Sequence, residues 1–204
     1  MKKIILCIFS LFALCNCQNK KEQTELNSSE INDITNVIET VLIQDSLDVF
    51  SKNKDSRIIR NELRKLHIIV PEKRKDGISF PPPPRDIYIN SLLNRKIKNA
   101  NFFSSNNSIY LLKQNSNLES LKIEHNLLNK LNASTIEEVE KKHKNGENVR
   151  FYEMTIPVFS SNRQRAYIQL DYFCGHLCGS GKAIYLQKIN GKWQIIEKWR
   201  TWIS

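Results

Sequence analysis

Two cysteines four residues apart, Cys174 and Cys178, enclose Gly175, His176 and Leu177, and Gly179-Ser180-Gly181-Lys182 follows at once. This is the densest set of reactive side chains in the chain, and four chemistries compete for it. A disulfide needs the two Cα atoms within about 7 Å, which a tight turn at Gly175 allows. A structural zinc takes four ligands in a tetrahedron; Cys174, His176 and Cys178 offer three, and His67, His125 or His143 would have to supply the fourth. A thiol nucleophile or redox pair is the third reading, with Asp171, His176 and Cys178 as its set. Redox centres, however, favour Cys-x-x-Cys at a helix start, where the dipole lowers a thiol pKa; here the spacing is one longer and both flanks read as strands. The fourth, a phosphate loop, fails on pattern. It requires glycine where His176 stands, Ser or Thr where Ala183 stands, and a helix after it. The glycines of this run are expected to provide turn conformations that other residues resist.

Elsewhere the reactive residue types are scattered. The four histidines are far apart, and Glu137, Glu138 and Glu140 share a solvated helix with Lys141, Lys142 and Lys144 as a mixed-charge face. No His-Glu-x-x-His, Gly-x-Ser-x-Gly or zinc-finger spacing occurs, so no residue is assigned a catalytic role and no cofactor or metal is called for. The net charge of +10 and pI of about 9.4 could attract anionic lipid, acidic glycan or nucleic acid. The basic residues are dispersed and are not interleaved with stacking aromatics on one face, which argues against a nucleic-acid partner.

The start of the chain carries an address. Lys2 and Lys3 precede an apolar run, residues 4–14, with the length of a signal-peptide core and too short to span a bilayer as a mature helix. The run ends in Leu14-Cys15-Asn16-Cys17. This segment resembles a bacterial lipoprotein precursor, whose lipobox places an apolar residue, usually Leu, three positions before the modified cysteine. Leu14 and Cys17 fit the outer positions, while Asn16 stands where Gly, Ala or Ser is usual and Cys15 is the rival acceptor. The resemblance implies a signal peptide over residues 1–16, cleavage before Cys17, diacylation of its thiol and acylation of its new amino group. It also implies a membrane-anchored protein of the bacterial envelope, in the outer membrane where there is one, since Gln18 is not acidic. Loss of Lys2 and Lys3 would leave the mature chain at 10 − 2 = +8. With Cys7 and Cys15 removed and Cys17 lipidated, Cys174 and Cys178 are the remaining pair, and delivery to an oxidising compartment favours their disulfide.

The elements that must position the Cys174–Cys178 loop are strands. Residues 166–174 alternate Ala166, Ile168, Leu170 and Tyr172 against Tyr167, Gln169, Asp171 and Phe173, the period of a half-buried strand. Residues 154–159 alternate in the same way, with Met154, Ile156 and Val158 together, and Pro157 marks an edge or a bulge. Residues 183–189 and 193–202 flank Asn190-Gly191, the dipeptide of a type I′ hairpin turn. These four runs predict an antiparallel meander. Upstream, residues 17–30 read as a flexible tether. Residues 31–50 carry Ile31, Ile34, Ile38, Val41 and Leu42 at helical spacing with Ser29 as a cap, and 57–66 predict a second amphipathic helix. Phe80-Pro81-Pro82-Pro83-Pro84-Arg85 reads as a stiff surface connection. Residues 109–112 and 118–123 suggest a hairpin, and Ser134 with Glu137 a capping box opening a helix that Gly146 ends.

The fold class is therefore α+β: N-terminal helices on an antiparallel sheet ending in a four-stranded meander, one domain over residues 31–204. Asn190-Gly191-Lys192-Trp193 and the aromatic strand after it resemble the ending of nuclear-transport-factor-2-like cone domains, which implies a pocket between sheet and helix. Three function classes follow. The first is a non-catalytic binding or structural module on a lipid anchor, with an envelope protein or glycan as partner. The second is an envelope hydrolase or thiol-redox enzyme using the Cys174–Cys178 loop. The third is an immunity- or inhibitor-type lipoprotein.

Overall fold

The computed structural model describes residues 26–50, 56–72, 80–114, 116, 118–175 and 177–204. The order is α1 (Ser28–Gln44), β1 (Ile58–Arg60), β2 (Glu62–Arg64), β3 (Ile68–Ile69), β4 (Ile87–Tyr88), α2 (Ile89–Leu93), β5 (Lys96–Ile97), β6 (Ala100–Asn101), a 3-10 turn, α3 (Ser108–Gln114), β7 (Ser120–Lys122), α4 (His125–Leu128), β8 (Ala133–Ser134), α5 (Ile136–Lys144), β9 (Phe151–Met154), β10 (Val158–Phe159), β11 (Arg165–Gly175), β12 (Cys178–Ile189) and β13 (Lys192–Ile203). Mixed α and β content around a large, mainly antiparallel sheet is what the C-terminal alternation implies.

The sheet runs β13-β12-β11-β9-β1-β8, and β10 also pairs with β11. β9, β11, β12 and β13 are antiparallel neighbours, whereas β1 lies parallel to both β8 and β9. The Asn190-Gly191 turn has φ of 51° and 77°, the left-handed pair that a type I′ turn requires and that Asn and Gly tolerate best. The expected first strand is broken: β9 ends at Met154, Pro157 supplies no ladder donor, and β10 resumes at Val158. The interruption also shifts the faces. Val158 joins the cluster opposite Met154 and Ile156, and Phe159 takes the place expected of it.

β11 and β12 sort their side chains by parity, so the sheet has two covered faces. On one, Ala166, Ile168, Leu170, Ile184 and Leu186 meet Ile34, Val37, Ile38, Val41 and Leu42 of α1. On the other, Tyr167, Ala183 and Tyr185 meet Leu92, Phe102, Phe103 and Leu111 from residues 89–111. α1 starts at Ser28, earlier than its stripe suggests. Asn27, and not Ser29, is its cap: Asn27 Oδ1 accepts from Glu30 N at 2.9 Å and Glu30 returns to Asn27 N at 3.1 Å. Leu26 already packs against the core, so the folded body reaches back into the stretch read as tether.

Carboxylates clamp α1 at both ends. Asp33 accepts from Arg163 Nε at 2.7 Å and Lys188 Nζ at 2.9 Å. Asp45, whose side chain is 1% exposed, accepts from Lys182 Nζ at 2.6 Å and from Lys198. Burial alone would raise both carboxyl pKa values. The hydrogen bonds and charges of the four cations outweigh it and hold both below the ordinary value.

Three local expectations are corrected. Residues 57–66 form β1 and β2 instead of a helix; Ile58 and Ile59 are buried by parallel pairing with β8 and β9, a non-local gain that outweighs helical spacing. Residues 109–112 belong to α3, and β7 pairs with β2, so no hairpin forms there. The second capping box sits one residue later than expected, on Thr135 and Glu138, while Ser134 donates to Glu138 at 2.6 Å. Gly146 follows that helix with φ of 82°. The side-chain amide of Gln114 donates to Phe159 O at 3.0 Å and accepts from Phe159 N at 2.9 Å, taking both backbone groups of that β10 residue.

Candidate functional site

A disulfide joins Cys174 and Cys178 across the end of the β11–β12 hairpin, with Cα atoms 5.0 Å apart. Gly175, at φ 138°, makes the turn that lets the strands meet. With both sulfurs bonded, neither can attack a carbonyl or ligate a metal. His176 lies outside the described residues, and among the described residues no three His, Cys, Asp or Glu side chains gather as a metal site. Leu177 stands 88% exposed at the tip.

Gly179 and Gly181 do something other than turn. Both lie inside β12, and neither has a positive φ. The indole of Trp202 lies on them: a Cβ on Gly179 would meet Trp202 Cη2 at 2.8 Å, and one on Gly181 would overlap the pyrrole edge of the ring. The glycines leave room for an aromatic plate, and the Gly-Ser-Gly-Lys run is its bed. The plate is pinned by its polar edge, since Trp202 Nε1 donates to Asp171 Oδ1 at 3.0 Å.

Asp171 is therefore not free to serve His176 or Cys178. It belongs to a buried charge cluster on the sheet face away from α1. Asp171 on β11 sits directly opposite Glu153 on β9, with side chains 2% and 5% exposed. Two like charges facing across a ladder repel, and burial magnifies the repulsion. Three guanidinium groups answer them. Arg64 Nη2 donates to Asp171 Oδ2 at 3.0 Å and to Gln169 Oε1 at 2.9 Å, while its Nε lies 3.6 Å from Glu153 Oε2. Arg85 Nε donates to Asp171 Oδ2 at 2.9 Å, and its Nη2 pairs with Glu153. Arg60 pairs with the other oxygen of Glu153. Arg64 and Arg85 thus each bridge both carboxylates, a task for a planar fork that one ammonium could not perform. Gln169 also donates to Tyr167 Oη at 3.1 Å, which carries the network into the core; burial pushes the Tyr167 hydroxyl pKa far up.

Arg85 is the unusual member. Asp86 N bonds to Pro83 O at 3.0 Å, so Pro83-Pro84-Arg85-Asp86 is a β-turn, and Arg85 occupies its third position with φ of 72°. That site normally takes Gly or Asn. The proline run expected to be a mere connection ends by forcing an arginine inward, where it also lies 5.5 Å over the Phe173 ring. Burial, with Arg64 and Arg60 adding repulsion, lowers its pKa against the pull of Asp171. Three cations around two anions leave one positive charge, 3 − 2 = +1. Guanidinium groups do not release protons near neutrality, and both carboxylates are engaged as acceptors. The cluster suits holding strands and turn together better than proton transfer. Sequence reading missed it because Arg64 and Asp171 lie 107 residues apart; the one available signal was Asp171 within the half-buried alternation of residues 166–174.

No protein-family model, no curated protein and no solved structure matches this chain. Its site is read from geometry alone.

Proposed function

We propose that the protein is lipid-anchored to a bacterial envelope through Cys17 and that its body is a non-catalytic binding module. The observation that carries this reading is the apolar run closing on Leu14-Cys15-Asn16-Cys17 so near to a capped helix. Residues 18–26 separate Cys17 from the cap at Asn27, ten steps of chain that reach at most about 36 Å, so an anchored body would stay close to the bilayer. More than one acyl chain would make such anchoring stable. The Cys174–Cys178 disulfide fits an oxidising compartment. A chemical fit for an envelope partner comes from the hairpin tip, where Leu177 stands exposed beyond the disulfide.

Mass spectrometry of the native protein tests the anchor. The expected N-terminal peptide starts at a Cys17 carrying a diacylglyceryl thioether, and Cys17→Ser leaves the membrane fraction. An unprocessed, fatty-acid-free N-terminus overturns it. A second reading, a thiol-redox enzyme, draws on one fact: Cys178 is exposed and open to exchange. Equilibration in glutathione buffers separates the two. A disulfide that stays oxidised across the envelope range supports the binding module; one that cycles within it, with a reactive low-pKa thiol, supports the enzyme.

A further inference from the structure

A cleft of ≈ 240 Å³ lies at the N-terminal end of α1, walled by α3 and the β10 edge. Its floor is made of Ile34, Ile156 and Phe159, which belong to the buried core beneath α1. Leu26 and Leu118 close its sides and pack against that same core. An apolar occupant would extend the existing core, at about 25 cal/mol per Å² removed from water.

The mouth is cationic. Glu30, its one carboxylate, is already committed: Oε2 accepts from Asn27 N at 3.1 Å and Oε1 lies 3.8 Å from Arg163 Nη1. Arg163 also lines the cleft, but its guanidinium is held by Asp33 at 2.7 Å and by the Tyr110 hydroxyl. Lys113 is exposed at the rim, and among the described residues no acidic group pairs with it. An anionic head at the mouth would meet Lys113 and the Tyr110 hydroxyl while its tail entered the cleft.

We propose that this cleft binds the end of one aliphatic chain bearing a carboxylate head, a fatty acid drawn from the adjoining bilayer. The volume is below the roughly 300–1,000 Å³ of drug-sized sites, which suits a single chain and excludes a two-chain lipid. Leu26 lines the cleft and is the residue through which the chain leads back toward Cys17, so an anchored body would carry the cleft at its membrane-proximal end. The source of the ligand rests on the proposed anchor; the binding itself does not.

Octanoate is the probe, kept below its micelle-forming concentration and titrated by calorimetry into the full chain carrying Cys17→Ser and into the lipidated wild type. The expected result is saturable one-to-one binding to both. Octylammonium should bind at least tenfold more weakly, Lys113→Glu should weaken octanoate about tenfold, and Leu118→Trp should abolish binding by filling the cleft. Lys113 is exposed, so its variant keeps the test valid even where the tryptophan disturbs folding. Equal affinity for octanoate and octylammonium, unchanged binding by Lys113→Glu, or no saturation overturns the proposal. Binding by the Cys17→Ser chain but not by the lipidated protein also overturns it, because the protein's own acyl group would then be the occupant. Binding by the Cys17→Ser chain from a protein found unlipidated in cells leaves the cleft assigned and removes only the bilayer as source.

Discussion

The two faces of the sheet handle charge in opposite ways. Under α1 the buried surface is apolar, and carboxylates appear at the helix ends, where Asp33 and Asp45 each take two cations from β11–β13 or the turn before them. On the far face two carboxylates sit side by side inside the fold, and a cage of three arginines is needed to keep them there. The Asp45 clamp leaves its cations partly in water: Lys182 and Lys198 are 42% and 48% exposed. The cage arginines Arg60, Arg64 and Arg85 are 21%, 15% and 34% exposed. Removing Asp45 therefore leaves two solvated ammonium groups, whereas removing one bar of the cage strands carboxylate charge in the interior.

The sharpest way to break this contrast is Arg64→Ala. It leaves Asp171 and Glu153 facing each other with one bridging guanidinium and should cost about 3–5 kcal/mol in urea unfolding. Arg64→Lys should recover little of that, since a point charge cannot span both carboxylates. A loss below about 1 kcal/mol would mean that the far face is no more demanding than the rim.

Gly181→Ala comes next. The new methyl collides with Trp202, whose ring must lift from β12 and give up its bond to Asp171. A loss of about 1–3 kcal/mol is expected, with a change in near-ultraviolet circular dichroism that reports the displaced indole.

Asp45→Asn removes one rim clamp and should cost about 2 kcal/mol near neutrality. It also tests the acid response. Asp33 and Asp45 are depressed below 3.8, their ordinary value. Their contribution is complete above that value and is lost as pH falls through the lower folded-state values. Urea midpoints should therefore drop below about pH 4 in the wild type, and the Asp45→Asn variant, with one fewer depressed carboxylate to protonate, should show a flatter drop.

The smallest effect is expected at the sulfur pair. Replacing Cys174 and Cys178 together by Ser opens a five-residue ring on a hairpin already zipped from Arg165 to Gly175. Loop-closure entropy allows about 2 kcal/mol at most, and the sheet should keep its far-ultraviolet spectrum.

Legibility followed the range of the forces involved. β11–β13 could be read because period-two alternation and Asn190-Gly191 are local statements of strand and turn, and α1 because its stripe is long. β1 and β2 could not. Each is three residues long, and Ile58, Ile59, Leu63 and Leu66 are compatible with a helix until β8 and β9 line up parallel to β1 and β7 antiparallel to β2. α3 was obscured for a related reason, since four residues of alternating appearance carry too little pattern to separate helix from strand. The glycines of β12 were visible as glycines, but their purpose depends on Trp202, which reaches them only after β13 folds back. The arginine cage has no local signature at all. Its members are recruited from β1, β2, a proline turn, β9 and β11.

Gln114 gives the body a guarded flank. A neighbouring chain seeking to extend the sheet beside Phe159 would find its donor and acceptor both taken by a mimic of the peptide group, and would have to evict that amide before any new strand could be templated. The exclusion requires no proline or lysine at Phe159 itself, and the helix that carries the amide is also a wall of the neighbouring cleft. Movement of α3 would therefore unseal the strand margin and reshape the cavity in a single event.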